Sequence, residues 1–168
     1  MKSVLISIRP EWCELIVSGE KTLEVRKTRP KMEMPFKCYI YRTKGKVKHI
    51  LNGKWFNMPA GGHVIGEFIC DTFVIDKTFG HDALFNGAAC MTEIECAVYS
   101  CQSPLYGWHI SDLKIYDIPK TLSEFRRPCD NDLYCERCGV YRSVTDTCGN
   151  SALHTTRAPQ SWCYVEEI

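Results

Sequence analysis

An ammonium, a carboxylate and a guanidinium fall close together in Gly19-Glu20-Lys21-Thr22-Leu23-Glu24-Val25-Arg26-Lys27. Leu23 and Val25 alternate with Glu24 and Arg26, the period of a strand, so the two charged side chains leave on one face. Same-face residues two apart are ~6.5–7 Å apart, about the breadth of a pyrimidine ring. Glu24 can accept from an exocyclic amine, as a carboxylate does from cytosine. Arg26 can hold Glu24 in place or take a phosphate bidentately. Lys21, at the turn before the strand, offers a mobile charge for a phosphate or an acyl oxygen. The same pattern also describes a solvated strand face with a surface ion pair. Either way, Glu24 and Arg26 are expected to point out of the apolar face.

A second set lies near the carboxy terminus. Cys135-Glu136-Arg137-Cys138-Gly139 is a C-x-x-C-G knuckle, preceded by Cys129 and followed by Cys148. Two thiolates at this spacing can grip one ion, and glycine permits the tight turn behind the second sulfur. The surrounding stretch lacks large aliphatics and cannot build a core, so a metal staple would account for its order. The expectation is one structural zinc (Zn2+) on Cys129, Cys135, Cys138 and Cys148, with His154 as a substitute ligand. Four thiolates close the coordination sphere and leave no place for a catalytic water. A redox pair and a loop of plain thiols are the competing readings, and no βαβ pattern supports the former. The other seven cysteines sit among apolar residues and read as core thiols.

The elements that must position these residues follow from pattern. Val4 to Ile8 is a short apolar strand. Pro10 to Gly19 reads as a helix, with proline at its first position, Glu11 at the positive end of the dipole and Gly19 as its terminator. The signature strand follows. Lys37 to Thr43 alternates as a strand. His63 to Asp76 is one long bent strand or two, with Gly66 at a bend. Asp82 to Ala89 reads as a loop. Thr92 and Thr121 each open a capping box, Thr92 on a helix to about Ser100 and Thr121 on about one turn. Pro104 to Gly107 is expected to turn the chain into a strand from Trp108 to Tyr116, and Trp162 to Glu166 is the last strand. Short strands, few short helices and Gly-marked bends predict a mainly β, α+β chain: a small barrel or curved sheet with helical plugs.

Composition sets the bounds. One domain is the default for 168 residues, 45% of them hydrophobic and 24% charged. The net charge of +1 hides an asymmetry, because residues 1–50 carry 12 Lys and Arg against 5 Asp and Glu. A basic amino-terminal third fits an anionic partner such as nucleic acid. The first apolar run is too short for a signal peptide, and no run approaches a membrane span. Eleven cysteines without such a signal point to a reducing, cytoplasmic setting. Ser111 and Ser161 lack a Ser-His-Asp context, and His109 reads as structural.

With the helix, the signature strand and the last strand in place, the chain resembles an ASCH domain of the PUA-like superfamily. The family's G-x-K-T-x-E-x-R signature is similar to Gly19 through Arg26. Ser7-Ile8-Arg9-Pro10, Tyr106-Gly107-Trp108-His109-Ile110-Ser111 and Pro159-Gln160-Ser161-Trp162-Cys163-Tyr164-Val165 resemble its flanking pieces. The likeness is to small bacterial and prophage ASCH proteins. It spans most of residues 1–125 and 157–168, with 129–150 as a Cys-rich, zinc-knuckle-like insertion in a single domain over 1–168. It implies a PUA-like β-barrel with short helices at its ends and a cleft around the signature strand. Such a cleft would bind RNA or a modified nucleobase or nucleotide, with Arg9, Lys21, Glu24, Arg26, Lys27, Trp108 and Ser161 as the ligand set. One enzymatic branch is similar to amidohydrolases acting on acetylated cytidine, and there the candidates are Lys21, Glu24 and Glu67. That branch has a threonine three positions after the lysine, where this chain has Glu24. A protein-interaction module of prophage origin is the remaining alternative.

Overall fold

The computed structural model describes residues 2–45, 61–129, 134–136, 140–141 and 153–168. Its centre is β1 (Ser3–Ile8), buried along its whole length. An apolar run flanked by two serines suits a strand covered on both faces. β1 pairs in parallel with β3 (Phe36–Arg42) and antiparallel with β11 (Trp162–Glu167). β4 (His63–Cys70) and β7 (Ser111–Lys120) extend the sheet on one side, and β8 (Phe125–Arg126) closes the other, giving six strands in the order β7-β4-β3-β1-β11-β8. Alternation splits the core. Val4, Ile6, Cys38, Ile40 and Phe68 pack on one face, while Leu5, Tyr39, Tyr41, Phe125 and Val165 pack on the other.

A three-stranded sheet of β2 (Leu23–Arg26), β6 (Leu105–His109) and β5 (Phe73–Asp76), in the order β2-β6-β5, packs with helix α1 on the first of those faces. α1 runs Pro10–Val17, with proline in its first turn and Glu11 at its positive end. Gly19 leaves it at φ +79°, a left-handed conformation that costs glycine nothing. The outer face of the small sheet carries Leu23, Val25 and Leu105. It is covered by Phe85 and Ala89 of α2 (Ala83–Ala89) and Cys96 of α3 (Glu93–Ser100).

Several expectations change here. Among the described residues the strands form these two sheets and a two-stranded pair, and none closes into a barrel. Ala83–Ala89 is a helix rather than a loop: the carboxylate of its N-cap Asp82 accepts from the backbone N–H groups of Leu84 and Phe85, a cap that offsets the poor helix formers Asn86 and Gly87. Leu105, Tyr106 and Gly107 lie within a strand, not a turn, because all three pair with β5 and the last two also with β2. The strand expected over 108–116 is two, β6 and β7, parted at Ile110. The 63–76 stretch breaks at Asp71-Thr72. Gly66 instead marks a register irregularity against β3 and β7, where a Cβ would lie 2.4 Å from the Lys114 carbonyl oxygen. Cys101, read as a core thiol, is exposed, whereas Cys13, Cys38, Cys70 and Cys96 are buried. Most of 129–150 lies outside the described residues. Within it β9 (Tyr134–Cys135) pairs antiparallel with β10 (Val140–Tyr141), Cys135 opposite Val140. No helix among the described residues is long and apolar enough to cross a membrane.

Candidate functional site

The signature strand is buried on both faces, and this reverses the expected orientation. Glu24 and Arg26 turn inward, toward α1 and the large sheet, while Leu23 and Val25 face α2 and α3. Lys21, Glu24 and Arg26 are only 3%, 5% and 9% exposed. Buried charges persist only when paired, and these three are connected. Arg26 Nη2 lies 2.9 Å from Glu24 Oε1, and Lys21 Nζ lies 3.8 Å from Glu24 Oε2. Arg26 Nη2 also donates to the Ser7 carbonyl at 2.6 Å, and Nη1 to Ser161 Oγ at 3.4 Å. Among the described residues, the buried Arg26 Nε–H has no hydrogen-bond partner.

The helix missed in the sequence is what seats Lys21. Its ammonium donates to the Ala89 carbonyl at 2.6 Å, at the carboxy-terminal end of α2, where the helix dipole favours a cation. The Lys21 backbone N–H donates to Leu15 of α1, and Thr22 N–H to Ala88 of α2, so the two helices hold this turn between them. The Trp12 ring stands 4.9 Å from the ammonium. Burial lowers the Lys21 pKa, and the Glu24 carboxylate opposes that shift.

The remaining sequence candidates separate. Arg9, the residue before α1, is exposed, and so is Lys27 at the end of the signature strand. Ser161 is half-buried, and its carbonyl accepts from Ser7 N–H. Trp108 sits opposite Glu24 on β6 but is fully buried, with no surface to offer a ligand. Glu67 lies opposite Tyr39 on β3, and its partners Lys37 (3.1 Å) and Tyr116 (2.5 Å) belong to the face of the large sheet away from β2. Burial raises its carboxyl pKa, but those two hydrogen bonds together with the charges of Lys37 and Lys114 outweigh burial and leave it below the ordinary value. Glu67 therefore does not join Lys21, and Glu24 is the carboxylate beside that amine.

Tyr99 was missed. It is 36% exposed on α3, with the Lys27 ammonium 5.2 Å from its ring, and it lies within electrostatic reach of Arg9, Glu24 and Arg26. Burial raises its phenol pKa, Arg26 and Arg9 lower it, and Glu24 raises it. Only its place on the capped helix could have marked it, because nothing in the local pattern points to this strand. Beside the strand opens a groove of about 580 Å3 lined by residues 27–33 and Tyr106.

Among the described residues no group of three or more His, Cys, Asp or Glu side chains gathers as metal ligands. Cys129 and Cys135 come together in one buried cluster with Leu153. Cys138 and Cys148 lie outside the described residues. His154 bridges to Arg126 through the backbone.

Residues 6–77 match the model of the ASCH domain family. The fold is similar to that of the crystallised ASCH protein from Zymomonas mobilis, at 18% identity and TM-score 0.60, over 98% of this chain and 87% of that one. It is likewise similar to a tyrosine-to-phenylalanine variant of that protein (18% identity, TM-score 0.61, 99% and 91%) and to a serine-to-alanine variant (18%, 0.61, 98% and 88%). No curated protein matches the sequence.

Proposed function

We propose that this chain, whose residues 6–77 match the ASCH domain model, binds RNA or a modified nucleobase or nucleotide at Lys21, Glu24 and Arg26. Arg9, Lys27, Tyr99 and Ser161 form the rim. The observation that carries the reading is the inward turn of the charged face of β2, with the Arg26 Nε–H left without a partner among the described residues. Buried ion networks contribute little net stability, so a recognition role gives a reason for one here. Glu24 retains acceptor capacity beyond its two contacts and suits an exocyclic amine. Lys21 and Arg26 suit an anionic oxygen.

Binding titrations with nucleobases, nucleotides and short RNA test this. Lys21→Ala is expected to weaken anionic ligands at least tenfold and to flatten the salt dependence. Glu24→Gln keeps the shape and changes the donor–acceptor pattern, so preference between amino- and oxo-bearing bases is expected to shift. Wild-type protein that binds none of these ligands would end the reading.

A hydrolytic reading rests on one arrangement, the buried Lys21 amine 3.8 Å from the Glu24 carboxylate, where burial lowers the amine pKa. A larger neutral fraction makes a better base or nucleophile. Acetylated cytidine, added to the same titrations and followed for released acetate, tests it. Absence of turnover removes it.

We also propose one structural zinc on Cys129, Cys135, Cys138 and Cys148. Two observations support it: Cys129 and Cys135 are buried together, and the β9–β10 pair frames the C-x-x-C-G stretch. Close to one zinc per chain is expected by elemental analysis of protein purified without an affinity metal. Cys135→Ser should lose it and make 129–150 protease-sensitive. Well-ordered protein without metal overturns the proposal.

A further inference from the structure

The groove beside the signature strand is basic, aromatic and fixed in place. Lys27, Arg29 and Lys31 are exposed along it, against one carboxylate, Glu33. The last strand holds this segment: Trp162 Nε1–H donates to Thr28 Oγ1 at 3.0 Å, and the Lys31 backbone N–H donates to the Tyr164 hydroxyl at 2.8 Å. Cations mounted on a pinned segment lose less freedom on binding than cations on a loose loop. The Arg29 guanidinium carbon lies 5.5 Å from the centroid of the Phe73 ring and 5.8 Å from that of Tyr106, and Lys2 Nζ lies 4.2 Å from that of Tyr164. Cations interleaved with aromatic faces suit a chain that alternates phosphates with bases, because a base can stack on a ring or on a guanidinium plane. An acidic peptide would use the cations and leave the rings idle.

Position links the groove to the charged residues of the signature strand. Lys27 follows Arg26 directly, lines the groove, and stands over Tyr99 at the rim.

We infer that the groove of residues 27–33 and Tyr106 holds the phosphodiester backbone and a neighbouring base of a single-stranded nucleic acid whose recognised base sits at Lys21, Glu24 and Arg26. This rests on the binding reading above and deepens it, because it makes the ligand a polymer rather than a free nucleotide.

The test compares a mononucleotide with hexanucleotides of RNA and DNA by fluorescence or calorimetric titration. It uses wild-type protein and the double variant Arg29→Ala/Lys31→Ala, whose substituted side chains are exposed, Arg29 giving up only its ring contacts with Phe73 and Tyr106. Wild-type protein is expected to bind a hexamer at least tenfold tighter than the mononucleotide. The double variant is expected to lose at least tenfold on the hexamer, with a salt slope lower by about 1.4 if each cation neutralises one phosphate. Its mononucleotide affinity should stay within about twofold. Equal affinity for RNA and DNA supports backbone-and-stacking contacts, and a preference for RNA supports the same groove with the 2′-hydroxyl read as well. A hexamer that gains nothing over the mononucleotide, or an unchanged double variant, overturns the groove and leaves binding at Lys21, Glu24 and Arg26 standing. Hexamer binding that depends on Arg29 and Lys31 without any mononucleotide binding supports the groove and removes binding at Lys21, Glu24 and Arg26. Polyglutamate bound as tightly as the hexamer overturns the groove in favour of an acidic protein partner.

Discussion

Glu24→Ala is expected to destabilise the protein by about 3–5 kcal/mol, the range for removing one partner of a buried ion pair. For a chain of this size that is roughly a 10 °C fall in Tm. The reason is geometric. Glu24 is the only carboxylate within 4 Å of Lys21 or Arg26 among the described residues, and both cations are almost fully buried. Without it, an ammonium and a guanidinium share an interior with no anion between them. Lys21 would keep the Ala89 carbonyl and Arg26 the Ser7 carbonyl, which satisfies hydrogen bonds and leaves charge unbalanced. Glu24→Gln should cost less, because an amide oxygen can still accept from Arg26. The informative control replaces all three, with Lys21→Met, Glu24→Leu and Arg26→Met together. An apolar set of similar volume should recover most of the lost stability and lose all binding of nucleobases and mononucleotides. Such a variant, folded but unable to bind, would separate recognition from scaffold. A Glu24→Ala variant that melts within about 2 °C of wild type would mean that water screens this set, and the buried network would not hold.

The same strand shows how far a sequence can be read. Period-two alternation identified β2 and placed Glu24 and Arg26 on one face, and the structure keeps both. Alternation cannot say which face is interior when both are covered. The natural inference that charge faces solvent failed because α1 and the large sheet cover the polar face, while α2 and α3 cover the other. α2 was illegible for a related reason. Ala-Leu-Phe-Asn-Gly-Ala-Ala carries no clear apolar period, and the deciding signal was the single Asp82 cap. That omission hid the seat of Lys21, because the Ala89 carbonyl belongs to the missed helix. Glu67 was paired with Lys21 on family resemblance. Its register opposite Tyr39 sends it to the other face of the large sheet, a fact that needs strand order and not just strand identity. The Thr92 capping box, by contrast, is wholly local and is present as read.

Trp108→Ala carries the other large expected effect, about 3–5 kcal/mol for emptying a tryptophan-sized site in a packed core. Trp108 has no exposed surface, and its ring meets Phe36 at 6.1 Å, Phe73 at 5.8 Å and Trp162 at 5.8 Å between ring centroids, all edge-on. These contacts come from β3, β5 and β11, so one side chain joins the small sheet to the large one. Trp108 is also the register partner of Glu24. The ring therefore acts on the site by fixing where β2 stands against the large sheet, without touching a ligand. This gives the variant a signature that a stacking tryptophan would not produce. Trp108→Phe should keep part of the packing, lose about 1–2 kcal/mol as a smaller cavity, and leave the order of preference among nucleotides unchanged. Trp108→Ala should weaken all ligands together, in proportion to the fraction unfolded, and cooling well below Tm should restore binding. A Trp108→Phe variant with unaltered Tm and a reordered nucleotide preference would show instead that the ring reaches the ligand, and the core assignment would be wrong.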